Sequence, residues 1–450
     1  MPSRLQDLGV AGRLVRLAQF FTAQGITLLG NLLYGLLCIR LLPVADYAKF
    51  VVLFGVQGTL IVLMDVNFSG TLIPIVGEHV HNRQLIADTA ASLRRLSIWA
   101  YVIVGCSLAL VYPFLVRNRG WGWVTVAGMV ATLLLSTWFM RVSAVYGTVL
   151  VILGKRRIWY RGQMISSLGT LALLGAFWEA RALVAFSAIL INVSGFVFLG
   201  VFYHHHARRS LGVSGVVSAQ KRKAIIRLAS PNIPQAFFYA IQGQVPLLFI
   251  TYFGHIGSVA SIGALGRLGQ IFAVFGQLNP IFIEPYFARL PKVKLKRNYF
   301  AALLVAVVVC LTVGVLAAAF PNIFLWILGP KYSNLHYEVV VAICTSAIST
   351  FSGVLWAIHS ARRFIYWWTN ISGILLIFVV QTLFFFRGDL SSVRTVLYLN
   401  LATNIASLLV NLLAGIHGFL YGERLIDPVH PVTPDRSIEG SGYNEISVTP

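Results

Sequence analysis

The sequence predicts an all-α protein that crosses a membrane many times. Of its 450 residues, 58% are hydrophobic and only 11% are charged, and the mean hydropathy is +0.79. Soluble domains are about 45–50% apolar and about 25% charged. This composition excludes a soluble enzyme, a nucleic-acid-binding protein and a disordered chain. The apolar residues also come in long runs, which is the pattern of membrane-spanning helices.

Twelve runs are long enough to span a bilayer, for which a helix needs about 20 mostly apolar residues. They are 17–42, 48–75, 96–116, 122–153, 163–179, 182–203, 232–253, 258–284, 299–328, 338–359, 364–386 and 396–420. The first run is too long for the apolar part of a signal peptide, so we interpret it as a retained span.

The basic residues predict the orientation of these spans. With the N-terminus inside, 25 of the 35 Lys and Arg residues lie in cytoplasmic segments and eight in outer loops, while Arg141 and Arg267 lie within spans. Lys and Arg are retained on the cytoplasmic side during insertion. We therefore expect both termini in the cytoplasm, and we assign the net charge of +21 to topology and to contact with anionic membrane lipids.

A polar stretch between the sixth and seventh spans divides the chain into two halves, which is typical of transporters built from two related bundles. Few aromatic residues and several prolines follow the last span, which predicts disorder there. The predicted units are an N-lobe at 1–203, a basic cytoplasmic linker at 204–230, a C-lobe at 231–422 and a disordered cytoplasmic tail at 423–450.

Polar residues at helical spacing within the spans predict an aqueous cavity between the halves, because such groups are costly when they face lipid. The clearest stripe places four residues on one face of span eight. These are Arg267, Gln270, Gln277 and Glu284. Span one contributes Gln24 and Asn31, and span seven contributes Gln242. We predict that these residues contact a substrate, except Glu284, which lies near a helix end.

The remaining predictions concern the roles of two arginines and two carboxylates. Arg141 and Arg267 lie far from either end of their spans, and a buried guanidinium stays charged and favours phosphate. We predict that both face an anionic substrate, with a structural ion pair as the alternative. Asp65 and Glu284 are candidates for coupling or gating, or for partners of a neighbouring arginine.

Short motifs resemble a known family. Residues 40–50, Arg-Leu-Leu-Pro-Val-Ala-Asp-Tyr-Ala-Lys-Phe, are similar to the segment after the first helix of the polysaccharide (O-antigen type) flippases. These flippases belong to the multidrug/oligosaccharidyl-lipid/polysaccharide (MOP) exporter superfamily. Asp65 with 67–71, and 254–263 leading to Arg267, resemble two further segments of that family. Ala48 departs from the family pattern, which has glycine there.

The resemblance implies a MATE-like fold, in which two six-helix lobes surround a central cavity. It also implies a bacterial inner-membrane protein that moves an undecaprenyl-diphosphate-linked oligosaccharide, a precursor of cell-surface polysaccharide, to the periplasmic leaflet. Transport would proceed by alternating access, with a polysaccharide polymerase and its chain-length machinery as partners. Arg141 and Arg267 fit the cationic cavity residues that the family often carries.

Two other functions stay open. A cation-coupled multidrug antiporter of the same superfamily would share the twelve spans and need acidic residues to couple Na⁺ or H⁺, for which Asp65 and Glu284 are the candidates. A membrane-embedded glycan-modifying enzyme would need catalytic groups in its outer loops. Those loops are short and carry no such group, so the sequence predicts neither an enzyme nor a cofactor. The His204–His206 triplet is interpreted as an interfacial basic cluster and not as a metal site.

Overall fold

The computed structural model describes residues 10–65, 68, 71–76, 81–116, 122–230, 233–279, 283–362, 364 and 366–421. All regular structure in these residues is helical, and nine of their helices are long and apolar enough to cross a membrane. The predicted disordered tail 423–450 lies outside the described residues. The chain is a multi-pass membrane protein.

The described residues of the first lobe form seven α-helices, and an eighth follows them. The seven are α1 (Val10–Leu41), α2 (Val44–Asp65), α3 (Leu72–Val76), α4 (Arg83–Val116), α5 (Trp123–Ile152), α6 (Arg156–Glu179) and α7 (Ala185–Leu211). α5 packs along α7, and α6 packs against both α1 and α7. The eighth helix, α8 (Ala219–Ala229), packs on α4.

The described residues of the second lobe form nine α-helices. They are α9 (Ile233–Gln242), α10 (Val245–Phe253), α11 (Ile256–Leu278), α12 (Glu284–Arg289), α13 (Lys292–Ala319), α14 (Pro321–Leu328), α15 (His336–Arg362), α16 (Trp367–Arg387) and α17 (Val393–Tyr421). α15 is the central helix, since α11, α13 and α17 all pack against it. α2 of the first lobe packs against α11 of the second.

Span two is shorter than predicted. The sequence predicts one helix over 48–75, but α2 ends at Asp65 and a separate short helix, α3, follows. The sequence after this end contains Asn67, Ser69 and Gly70. Asn and Ser side chains hydrogen-bond to the backbone in non-helical conformations, and glycine loses the most backbone entropy in a helix, so all three types favour turns. The polar end of span two is therefore a helix terminus.

The described helix of span eight, α11, is shorter than the predicted 258–284. α11 ends at Leu278, and Glu284 begins α12. Residues 280–282 between the two helices lie outside the described residues, so the placement of Glu284 on the face that carries Arg267 stays a prediction.

Two further spans are interrupted. The predicted span 232–253 consists of α9 and α10, which meet at Gly243 and Gln244, with Pro246 in the first turn of α10. The predicted span 299–328 consists of α13 and α14, and Pro321 begins the second helix. Non-helical backbone at membrane depth is tolerated where it is buried in protein or lines a cavity. The first of these breaks lines a cavity described below.

Large apolar side chains cover the outer surface of both lobes. On α13, Leu304, Val305 and Leu311 are each more than 60% exposed. Apolar surface of this extent on a helical bundle indicates contact with lipid. The same helix places little of its surface inside the protein.

Three apolar cores show where the lobes join. One core is shared by both lobes and contains Phe50 and Leu53 of α2 beside Ala264 and Leu268 of α11. The other two cores lie within single lobes: one surrounds Tyr203 in the first lobe and the other is in the second. The shared core lies towards the ends of α1 and α2 that the sequence predicts to be periplasmic. The lobes are thus joined at the ends that the sequence predicts to be periplasmic.

Polar contacts reinforce this junction, and we call them the outer clasp (Arg40, Leu42, Trp326, Ile327 and Lys331). Arg40, at the end of α1, donates from Nε to the Ile327 carbonyl at 3.2 Å and from Nη2 to that of Trp326. Lys331 of the second lobe donates to the carbonyls of Arg40 at 2.9 Å and of Leu42 at 2.7 Å. Each lobe therefore supplies a cation that binds main-chain oxygens of the other.

The predicted orientation can be tested by reporter fusions. We expect alkaline phosphatase, which is active only outside the cytoplasm, to be active when fused after Arg119 or Asp389. Fusions after Arg222, Lys294 or Ser437 should be inactive in the same assay and fluorescent with a cytoplasmic reporter. Phosphatase activity after Arg222 would contradict the six-plus-six arrangement.

Candidate functional site

Arg267 is a buried cation at the junction of the lobes. It lies midway along α11 and is 5% exposed. Its Nη1 donates to Oε1 of Gln270, one turn later, at 3.2 Å, and its guanidinium carbon lies 3.9 Å from the ring centroid of Phe54. A cation over an aromatic face is attracted by the ring quadrupole, which offsets part of the cost of burial.

A glycine on α1 makes room for this side chain. A Cβ atom at Gly35 would lie 3.1 Å from Nη1 of Arg267 and 3.2 Å from its Cδ. A larger residue there would push the guanidinium away from Phe54. The position of Arg267 therefore depends on three helices, α1, α2 and α11.

Three adjoining cavities lead through the site. The N-lobe cavity, of about 360 Å³, lies between α1, α2, α5, α6 and α7 and reaches Arg267 and Gln270. The junction cavity, of about 340 Å³, begins at the same two residues and extends to Ser346 and Asn400. The C-lobe cavity, of about 460 Å³, begins at Ser346 and Asn400 and continues into the second lobe. Arg267 thus lies where the cavities of the two lobes meet.

The walls of these cavities carry amides and hydroxyls. In the N-lobe cavity the polar residues are Thr27, Asn31, Gln57, Gln163, Ser166, Ser167, Thr170 and Asn192. In the C-lobe cavity they are Gln242, Asn279, Thr345, Ser346, Ser349, Thr350, Asn400 and Asn404. The described lining residues of all three cavities include no Asp and no Glu. The charge of Arg267 is therefore not neutralised by any carboxylate along these walls.

Two amides in the N-lobe cavity have unused hydrogen-bonding atoms. Nε2 of Gln57 and Oδ1 of Asn192 are buried and have no hydrogen-bond partner within the described part of the chain. An unmade hydrogen bond at a buried polar atom is costly. A polar ligand in this cavity would satisfy one donor and one acceptor.

Arg141 has a different environment. It is 4% exposed, its Nη1 forms an ion pair with Asp65, and its Nε donates to Oγ of Ser97 at 2.8 Å. The ion pair is the structural alternative that the sequence left open for both residues. Arg141 lies outside the three cavities, since their lining residues do not include it.

Breaking this ion pair should destabilise the first lobe. We expect Asp65→Ala to lower the free energy of unfolding by about 2–3 kcal/mol, because it leaves a buried guanidinium without its counter-charge; Asp65 is itself 36% exposed, which moderates the loss. The double variant Asp65→Leu/Arg141→Met should recover most of that stability. Thermal unfolding in detergent measures both, and an unchanged melting temperature in Asp65→Ala would contradict this role.

The other predicted site residues are divided between the cavities and their surroundings. Asn31 lines the N-lobe cavity and Gln242 the C-lobe cavity. Gln24 lies two turns before Asn31 on α1 and is half-buried. Gln277 is on α11, but its side chain is outside the described residues. Their roles in binding stay predictions.

Sequence reasoning missed many of the lining residues, and two groups of them are instructive. The first is a stripe on α6, Gln163, Ser166, Ser167 and Thr170, whose spacing of three and four residues was visible in the sequence. The second is Gln244, which lines the junction cavity at the break between α9 and α10. A Cβ atom at Gly55 of α2 would lie 2.9 Å from Oε1 of Gln244, so a larger residue there would displace this side chain.

The described residues offer no metal site. Within the described ranges, no three His, Cys, Asp or Glu side chains come together as a group that could hold an ion. The contacts of the site are therefore made by amides, hydroxyls, aromatic faces and Arg267.

Comparison of the sequence with family models and with curated proteins finds no match, but the fold is similar to solved structures. An inward-facing multidrug resistance MATE family transporter of the MOP superfamily has a TM-score of 0.61 and 14% identity, over 89% of this chain and 94% of that one. An outward-facing one has a TM-score of 0.56 and 16% identity, over 91% and 94%.

A MOP superfamily transporter from Pyrococcus furiosus has a TM-score of 0.54 and 14% identity, over 91% of this chain and 94% of that one. These likenesses extend over both lobes and all three proteins are transporters. They confirm the predicted fold class, although identities this low leave the cargo open. The chain therefore has the fold of the MATE transporters of the MOP superfamily, two helical lobes around a central cavity.

Proposed function

We propose that the protein carries an anionic, lipid-linked oligosaccharide across the bacterial inner membrane by alternating access between its two lobes. The observation that carries this proposal is the buried charge of Arg267. Its contacts are Gln270 and aromatic rings, and no carboxylate within the described ranges pairs with it. A diphosphate would supply the missing negative charge through charge-assisted hydrogen bonds.

The two sides of Arg267 suit the two parts of such a cargo. The amide and hydroxyl groups of the N-lobe and C-lobe cavities can hydrogen-bond to sugar hydroxyls, as Gln57 and Asn192 are free to do. The diphosphate, which joins the glycan to its lipid, would lie at Arg267, where the cavities meet. The lipid chain would remain in the surrounding bilayer.

The multidrug antiporter has the same fold, and the charge of the cavity favours the flippase over it. A cation-coupled antiporter needs an acidic residue to couple Na⁺ or H⁺, and this requires a carboxylate inside the cavity. Asp65 is paired with Arg141, and Glu284 lies on α12. Neither carboxylate is among the described lining residues of the three cavities. Pocket polarity is informative about function among transporters of this fold. The Pyrococcus furiosus transporter has a binding pocket of reverse polarity, which suggests a different function for that protein.

Transport in a purified system tests the proposal. The full chain would be reconstituted into liposomes that carry a polyprenyl-diphosphate-linked oligosaccharide on the outer leaflet, and a membrane-impermeant lectin would measure the glycan that remains accessible. We expect protein-dependent loss of lectin binding, and none for a neutral lipid-linked glycan without the diphosphate. Equal movement of the two lipids, or export of cationic dyes with no movement of either, would contradict the proposal.

A further inference from the structure

A groove lined by three arginines lies on the first lobe, away from the central cavities. We call it the arginine groove (Arg94, Arg95, Arg208, Ser214 and the walls around them). It has a volume of about 260 Å³ and lies between α4, the last turns of α7 and the segment 212–218. Its apolar wall residues are Ala87, Ala90, Ala91, Ile98, Leu211, Val213 and Val217.

The segment 212–218 is held firmly against α4, so the groove is a formed feature of the lobe. The Val216 N–H donates to Oδ1 of Asp88 at 2.8 Å, and the Ser218 N–H donates to Oγ of Ser92 at 3.0 Å. Gly215 lies so close to α4 that a Cβ atom there would meet a main-chain oxygen of that helix at 2.0 Å. Only glycine permits this approach.

Among the described residues, no carboxylate neutralises the charges of the groove. Asp88, the carboxylate that α4 places beside the groove, already pairs with Lys221 at 2.8 Å. Arg94, Arg95 and Arg208 are exposed and form no ion pair with any described residue. Three guanidinium groups around one small cavity favour a phosphate, which accepts hydrogen bonds from arginine in bidentate geometry.

The groove is also at the level of a membrane surface. On α4, one to two turns beyond the two arginines, Trp99 and Ile103 point outward and are 59% and 65% exposed. On α7, Val201 is 55% exposed two turns before Arg208. Tryptophan beside apolar residues that face lipid marks the interface between hydrocarbon and headgroups. An acyl chain can therefore lie against α4 while its headgroup reaches the arginines.

We propose that the arginine groove binds the phosphate headgroup of an anionic glycerophospholipid from the cytoplasmic leaflet. The apolar residues beside the groove favour a lipid over free phosphate, because they would contact the first part of its acyl chains. Binding joins α4, α7 and the segment that leads to α8, and so stabilises the cytoplasmic end of the first lobe. This site is separate from the cargo site and does not depend on the identity of the cargo.

Native mass spectrometry of the full chain in detergent tests the site, with phosphatidylglycerol, phosphatidylcholine and inorganic phosphate as separate probes. We expect phosphatidylglycerol to bind, and its affinity to fall by about fivefold for each arginine replaced by glutamine, since a cation near an anionic headgroup contributes about that factor. The triple variant Arg94→Gln/Arg95→Gln/Arg208→Gln removes the whole set.

A matched control removes equal charge from another predicted cytoplasmic cluster, Lys155→Gln/Arg156→Gln/Arg157→Gln, whose residues are also exposed. This control should retain phosphatidylglycerol. If both triple variants lose the lipid equally, or if inorganic phosphate binds as well as the lipid does, the proposal is wrong. Should the groove triple variant fold poorly, the single variants Arg95→Gln and Arg208→Gln decide, and unchanged affinity in both would also overturn it.

Discussion

Replacing Arg267 with alanine is expected to reduce transport of the diphosphate-linked glycan by about tenfold to a hundredfold. Hydrogen bonds to charged groups contribute about 1.5–3 kcal/mol, and the variant removes the cation that would bind the diphosphate. Arg267→Lys should recover part of the activity, since lysine keeps the charge but not the planar fork of donors. The lectin assay in liposomes measures both variants.

Protein abundance separates a cargo-binding role from a structural one. Arg267 is buried against Phe54, so its removal leaves space in the shared core as well as removing charge. We expect Arg267→Ala to insert into the membrane at normal levels, and Arg387→Ala, which removes an exposed arginine at the end of α16, to transport normally. Full transport by a stable Arg267→Ala variant would rule out the cargo-binding role.

Locking the outer clasp should stop transport. Alternating access requires the joined ends of the lobes, which the sequence predicts to be periplasmic, to separate. Arg40 and Lys331 each donate hydrogen bonds across that junction. We expect the pair Arg40→Cys and Lys331→Cys, joined by a short bifunctional thiol reagent that can be reduced, to lose at least about nine-tenths of its transport activity. Reduction of the linker should restore the activity.

A second cysteine pair controls for the chemistry. Tyr337 and Tyr398 lie in one lobe, on α15 and α17, where their hydroxyls form a hydrogen bond. Cysteines at these two positions, joined by the same reagent, should leave transport unchanged because no movement between lobes is restrained. Full transport with the clasp cross-linked would show that the outer ends do not separate.

Three native cysteines must be replaced in the protein that carries the Arg40→Cys and Lys331→Cys pair. Cys106 is exposed, and Cys310 and Cys344 are half-buried, so each could compete for the reagent. Cys38 is wholly buried in the shared core and can remain. Alanine at the other three positions keeps the background unreactive.

The clasp also gives a physical meaning to the motif that carries the family resemblance. Residues 40–50 were singled out by their pattern alone, without a role. In the structure Arg40 bonds to the other lobe, and the ring of Tyr47 lies 6.4 Å, between centroids, from that of Tyr332. The motif thus contacts the second lobe at both of these residues.

Arg141 and Arg267 show where sequence reasoning ends. Both are arginines far from the ends of apolar spans, and the sequence predicts the same role for both. The fold brings Asp65 of α2 to Arg141 and brings aromatic rings to Arg267. Spacing along one helix shows which face a residue occupies, but the counter-charge comes from another helix. The roles of the two arginines therefore differ for a reason that local pattern does not contain.

The sequence by itself determined that the chain is helical, that it crosses a membrane many times and where most of its spans lie. Those properties depend on the free energy of transferring about 20 consecutive residues into lipid, which is a local sum. Asn31, Gln242 and Gln270 were also found in this way, because polar residues at helical spacing must face protein or water.

Only the tertiary structure decided which charges are neutralised, where helices break and which end of the lobes is joined. Proline and glycine indicate breaks, but whether a broken backbone is tolerated depends on the cavity that it lines, as at Gly243. Ion pairs and contacts between lobes join residues that are far apart in the chain. Lys331, for example, donates to the Arg40 carbonyl only when the two lobes pack together.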